Sequence, residues 1–122
     1  ALHAAGASPA AIGYVEAHGT GTALGDPIEL RALGAVVGRA AGRREPLWVG
    51  SLKSNLGHTQ AAAGVGGLIK AALALEQELV PATLHCSQPT SQVDWQQLGV
   101  CAATEPVAWP RGATWRSSSG NT

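Results

Sequence analysis

The 122 residues contain no methionine, no phenylalanine and a single tyrosine. A chain translated from its own start would carry a methionine. This one opens on "ALHAAG", which reads as an internal or processed piece of a longer protein. Scarce aromatics beside 16 glycines point to close approach of helices and backbone, not to a core of large rings. Two cysteines, Cys86 and Cys101, are too few for a disulfide scaffold. Two inert thiols in a cytoplasmic protein are the plainer reading, with one bridge as the alternative. Charge is sparse as well: 8 basic and 8 acidic residues cancel, and no basic patch offers nucleic acid a footprint. No signal peptide stands at the start. The longest apolar stretch, residues 61–69, stops at Lys70, far short of the roughly 20 residues a membrane span needs.

What is present is 45% hydrophobic and patterned, the composition of a folded chain of single-domain length. Residues 1–5 fit the last turn of a helix ended by Gly6, and Ser8 with Pro9 forms a connector. Residues 12–17 predict a short strand. A loop, 18–25, leads to a helix running to about Arg39, with Asp26 as N-cap, Pro27 at its first position and Glu29 closing a capping box. After a polar turn at 41–46, residues 47–52 predict a second strand and 53–58 a second loop. Residues 59–78 predict a long helix of small and apolar residues. Gly64, Gly66 and Gly67 each cost it about 1 kcal/mol relative to alanine. Tertiary packing must offset that cost, which places the helix at the centre of a layered fold. Residues 79–85 read as an extended link, 93–99 as a turn, and 100–104 and 106–109 as two short strands able to pair with each other.

Each strand-to-helix loop carries a histidine. The first, "HGTGTALGD", allows a phosphate cradle, because backbone N–H groups at a helix start bind anions. Its spacing is G-x-G-x-x-x-G, however, and no lysine completes a Walker loop. The other reading is catalytic. Sites in open α/β sheets form at the carboxyl ends of strands. If the two strands are parallel neighbours, His18 and His58 emerge at one edge, with Lys53 beside them. Two imidazoles and an ammonium suit a developing oxyanion. Against this, a lone histidine is most often structural. Zinc finds no ligand set at the right spacing. Glu16 and Asp26 fit packing and capping roles, and His3 and His85 look incidental.

"VEAHGTGTALGDPIE" and "VGSLKSNLGHTQAAAGVGGLIKAALAL", followed by "VPATLH", "VDW" and "TEPVAWP", resemble the C-terminal half of a β-ketoacyl synthase domain, closest to modular type I polyketide synthases. The likeness covers about residues 1–111, with 112–122 left as a polar tail. It implies a thiolase-like α/β/α/β/α fold, of which this chain is mainly a second-half piece. It implies decarboxylative Claisen condensation of an acyl-cysteine thioester with a malonyl-type extender on acyl carrier protein. His18 and His58 would be the two active-site histidines, and Lys53 would act through hydrogen bonding near His58. Thr20 and Thr22 would contact the phosphopantetheine arm of the carrier. No cofactor would bind directly. Partners would be acyl carrier protein, the other modules of the synthase, the remaining N-terminal half and, in the full-length form, a second copy.

Departures from the family pattern bear on function. The Ala-Cys-Ser type motif of the nucleophile is absent, and neither Cys86 nor Cys101 occupies its place. "SSSGNT" stands where the family has a Gly-Gly-Thr-Asn ending, and Gly67 stands where type II enzymes often carry glutamate. The expected activity is therefore that of a larger acyltransferase, with this chain inactive and poorly soluble alone. A nucleotide- or phosphate-binding domain using residues 19–25, and a non-catalytic remnant of a module, are the alternatives.

Overall fold

The computed structural model describes residues 1–109. A turn at the start and a 3-10 turn, Pro9–Ala11, lead into β1, Tyr14–Glu16, followed by helix α1, Gly25–Leu33, and β2, Leu47–Gly50. A single helical turn, α2, Lys53–Leu56, precedes the long helix α3, Ala63–Glu76. The described residues end with β3, Leu79–Val80, a second short helix α4, Trp95–Leu98, then β4, Val100–Ala102, and β5, Val107–Ala108. Strands β1, β2 and β4 form a parallel sheet in the order β1-β2-β4, with Val15 opposite Val49 and Trp48 opposite Cys101. Strands β3 and β5 form a separate antiparallel pair.

Side-chain alternation divides the sheet into two faces. Ala17, Leu47, Val49 and Val100 pack with Leu30 and Val37 of the first helix and Leu98 of α4. Tyr14 and Ala103 lie on the other face, with Val80, and Trp48, Val107 and Trp109 pack around them. Helix α1 continues as a wide π turn, Gly34–Gly38, so the predicted end near Arg39 holds, with a wider final turn. A Cβ on Gly38 would stand 2.2 Å from the Leu98 carbonyl oxygen, and Gly99 crosses the same point at φ +65°. Only glycine allows this approach, which docks α4 against the helix. Arg43, expected in a plain polar turn, donates to the carbonyls of Pro9, Ile12, Val37 and Glu45 and ties that turn to the strand's entry.

Several expectations are corrected. Residues 100–104 and 106–109 do not pair with each other: β4 adds to β2 in parallel and β5 pairs with β3. The expected turn at 93–99 contains α4, because Asp94 accepts from the Gln97 N–H as an N-cap and Gly99 closes the helix in the left-handed region. Part of the second loop is helical as α2, and α3 starts at Ala63 after a 3-10 turn. Among the residues of α3, Gly67 and Ala74 are buried, while Val65, Leu68, Ile69, Leu73 and Leu75 are exposed. Among the described residues the helix is covered on one side only. The expected tail, 112–122, lies outside the described residues. No helix among the described residues is long and apolar enough to cross a membrane.

Candidate functional site

Parallel pairing of β1 and β2 sends both chain exits to the same sheet edge. The Ala17 N–H still donates to the Gly50 carbonyl at 2.8 Å, so His18 leaves as the ladder ends. Gly19 then turns at φ +48°, and a Cβ there would stand 2.8 Å from the Ser51 Cβ. The Ser51 hydroxyl donates to the Gly19 carbonyl at 3.5 Å and accepts from the Lys53 N–H at 3.3 Å. Buried Ser51 thereby joins the first loop to the start of the second.

The capping box expected at Asp26 does not form. Helix α1 begins at Gly25, with Pro27 as its third residue, and the carboxylates turn back onto the loop. Glu29 accepts from the His18 N–H at 2.7 Å and the Gly19 N–H at 3.0 Å, and Asp26 accepts from the Gly21 N–H at 3.2 Å. The Thr22 hydroxyl accepts from the Gly25 N–H at 3.0 Å. These are the donors a phosphate would need. Three of them are taken by the chain's own carboxylates, which would also repel an anion, and the fourth by Thr22, so the geometry argues against a phosphate cradle.

The rings of His18 and His58 come together, with centroids 5.4 Å apart and planes at 82°. The His58 Nδ1 accepts from the Gln60 N–H at 3.1 Å. In its neutral form His58 then carries its proton on Nε2 and presents a donor away from its own loop. His18 lines an open cavity of about 620 Å³ walled by α3 residues, and His58 lines a second of about 550 Å³. Lys53 lines both. Among the described residues no hydrogen bond joins its ammonium to either imidazole, so the bonding expected near His58 is not made here. Thr20 lines the second cavity, whereas Thr22 is engaged at the start of α1. His85, read as incidental, lines the second cavity too, as does Cys86.

Cys86 and Cys101 are free thiols, and partial burial raises both above the ordinary cysteine value, which disfavours the thiolate. Among the described residues no group of three or more His, Cys, Asp or Glu could hold a metal ion. The sequence reading missed the Glu29 clamp, since a carboxylate three residues after Asp26 has the spacing of a cap. It also left Lys70 unpaired. Glu16 in an apolar strand and Lys70 in an apolar helix were the available signal, because such charges need each other.

The family described as Beta-ketoacyl synthase, C-terminal domain, matches residues 1–87. The chain is 56% identical over 117 residues to Mycoketide-CoA synthase of Mycobacterium tuberculosis, covering 95% of this chain and 3% of that protein. It is 54% identical over 112 residues to Erythronolide synthase EryA2 of Saccharopolyspora erythraea, covering 92% of this chain and 3% of the relative. Among solved structures, ketosynthase twelve from the bacillaene polyketide synthase of Bacillus amyloliquefaciens superimposes with a TM-score of 0.83 at 37% identity, over 93% of this chain and 20% of that one. The module 6 ketosynthase of the Bacillus subtilis 168 bacillaene synthase gives 0.82 at 37% identity, over 92% and 20%. These neighbours carry the thiolase-like fold, and the α/β arrangement described above is a portion of it. The chain belongs to the β-ketoacyl synthase family, as part of its C-terminal domain.

Proposed function

We propose that this chain supplies the two-histidine side of a polyketide-type ketosynthase active site. The observation that carries the reading is the meeting of His18 and His58 at one parallel-strand edge. In the reaction, the C–C bond to the carboxylate of a malonyl-type thioester breaks and CO2 leaves. The electron pair passes to an enolate whose oxygen accumulates charge. The His58 Nε2–H and a His18 ring N–H donate to that oxygen. The enolate carbon attacks an acyl thioester held on a cysteine, and the cysteine thiolate departs. Lys53 adds positive potential at the same edge, and Thr20 contacts the phosphopantetheine arm of the acyl carrier protein that brings the extender; Thr22 is a weaker candidate for that contact. The synthase's other modules, the rest of the ketosynthase and a second copy complete the assembly in a cytoplasmic enzyme. Its remaining layers would cover the exposed face of α3.

Neither thiol of this chain stands in a nucleophile motif, so the 122 residues alone are expected to condense nothing. In the complete domain, His18→Ala and His58→Ala should each reduce malonyl decarboxylation by roughly 10²–10³-fold while cysteine acylation persists. Radiolabelled CO2 release and mass measurement of the acyl-enzyme separate the two steps. Wild-type CO2 release from both variants would sink the assignment.

A further inference from the structure

Glu16 sits in β1, two residues before His18, yet its side chain serves three elements at once. Its Oε1 accepts from the Leu52 N–H, in the turn just before Lys53. Its Oε2 accepts from the Tyr14 hydroxyl at 2.5 Å and lies 2.8 Å from the Lys70 Nζ of α3. Both members of the ion pair are largely buried, at 10% exposure for Lys70 and 15% for Glu16. The Lys70 ammonium lies 5.6 Å from the Tyr14 ring centroid, and its contact with Glu16 is an ion pair without the geometry of a directed hydrogen bond. A Cβ on Gly67 would stand 2.9 Å from the Glu16 Cγ, so the helix comes this close only because residue 67 has no side chain. Glu16, His18, Leu52 and Lys53 together line the 620 Å³ cavity.

A buried ion pair contributes little net stability against an apolar replacement of similar volume, so stability alone is a weak reason for it. Geometry offers a better one. We infer that Glu16 is a positioning residue, a clamp that sets the turn carrying Lys53 and His58 against the strand carrying His18, with Lys70 as its counter-charge. The inference rests on the ketosynthase reading of the two histidines. It assigns Glu16 no contact with substrate: the carboxylate acts through the Leu52 N–H.

The test uses the complete ketosynthase domain containing this segment. The double variant Glu16→Leu/Lys70→Met removes the acceptor and leaves no unpaired charge. It should lower kcat for malonyl decarboxylation about 10-fold or more, with KM for the carrier-bound extender and the rate of cysteine acylation retained. Glu16→Gln/Lys70→Met keeps a carbonyl oxygen for the Leu52 N–H and should recover most of that loss. Unchanged decarboxylation in the Leu/Met variant overturns the proposal, as does a proportional fall of both half-reactions with the folded fraction. If the Leu/Met variant does not fold, Glu16→Asp carries the test, because one methylene fewer pulls the turn out of register; a wild-type rate there overturns the proposal equally. His58→Ala is measured alongside. Wild-type decarboxylation in that variant removes the ketosynthase reading itself, whereas its loss together with an unaffected Leu/Met variant removes only the clamp.

Discussion

The two histidine loops reach one place by opposite means. The His18 loop is held through its backbone: Glu29 takes the N–H groups of His18 and Gly19, Asp26 takes that of Gly21, and Ser51 takes the Gly19 carbonyl. Among the described residues, no hydrogen bond reaches the His18 ring. The His58 loop is held through the ring itself, by the Gln60 N–H on Nδ1. A fixed backbone with a free ring leaves both nitrogens of His18 unengaged by the described residues. A fixed ring commits one nitrogen of His58 and chooses which of the two presents the proton. The pair therefore divides into an adaptable donor and a preset one.

That comparison breaks most severely at Gly19. Gly19→Ala places a Cβ against Ser51 at a left-handed φ, and a loop shift near 1 Å would cost decarboxylation about 10²-fold in the complete domain. A Gly19→Ala enzyme with wild-type CO2 release would show that the loop adapts and that the backbone clamp does not matter. Glu29→Ala, which strips the acceptor from two N–H groups, should cost about 10-fold, the equivalent of 1.4 kcal/mol, with Glu29→Gln intermediate. Equal losses from Glu29→Ala in decarboxylation and in cysteine acylation would mean that Glu29 holds the fold and not the histidine.

A third prediction sharpens the contrast through pH. Burial first, then the bond to Glu16 and that carboxylate's charge, raise the Tyr14 phenol above its ordinary pKa of 10.0. The folded state keeps a proton that the unfolded chain releases above about pH 10. The stabilisation is thus fully present below that pH and is lost as pH rises beyond it. Thermal midpoints of the complete domain should fall less steeply across that range in Tyr14→Phe than in the wild type; parallel slopes would contradict the burial of the phenol. The smallest effect belongs to Gln60→Gly. Residue 60 has φ +53° and contributes its N–H, not its side chain, to His58, so decarboxylation should stay within about twofold. A large loss would reveal work by the Gln60 side chain.

Legibility followed the range of the interactions. The strand before His18, the helix after it and the strand before Lys53 were plain because each repeats a local period. Asp94 and Gly99 carry the start and stop of α4 in their residue types, yet an element one turn long reads from sequence as a turn. Parallel pairing of β4 with β2 was not readable, since a two- or three-residue strand carries no mark of its partner. The Glu29 clamp hid behind a spacing that also describes a cap.

By itself the sequence determined two strand–loop–histidine units, the family they belong to and the absence of a nucleophile motif, because chemistry-bearing residues in fixed order are a one-dimensional fact. Only the tertiary structure decided that the two imidazoles meet, that glycine-loop amides are already occupied by carboxylates, and that Glu16 finds Lys70 54 positions away. Those outcomes depend on strand adjacency and on helix α3 crossing β1 at a glycine. Packing of the whole chain sets them, and no local pattern encodes them.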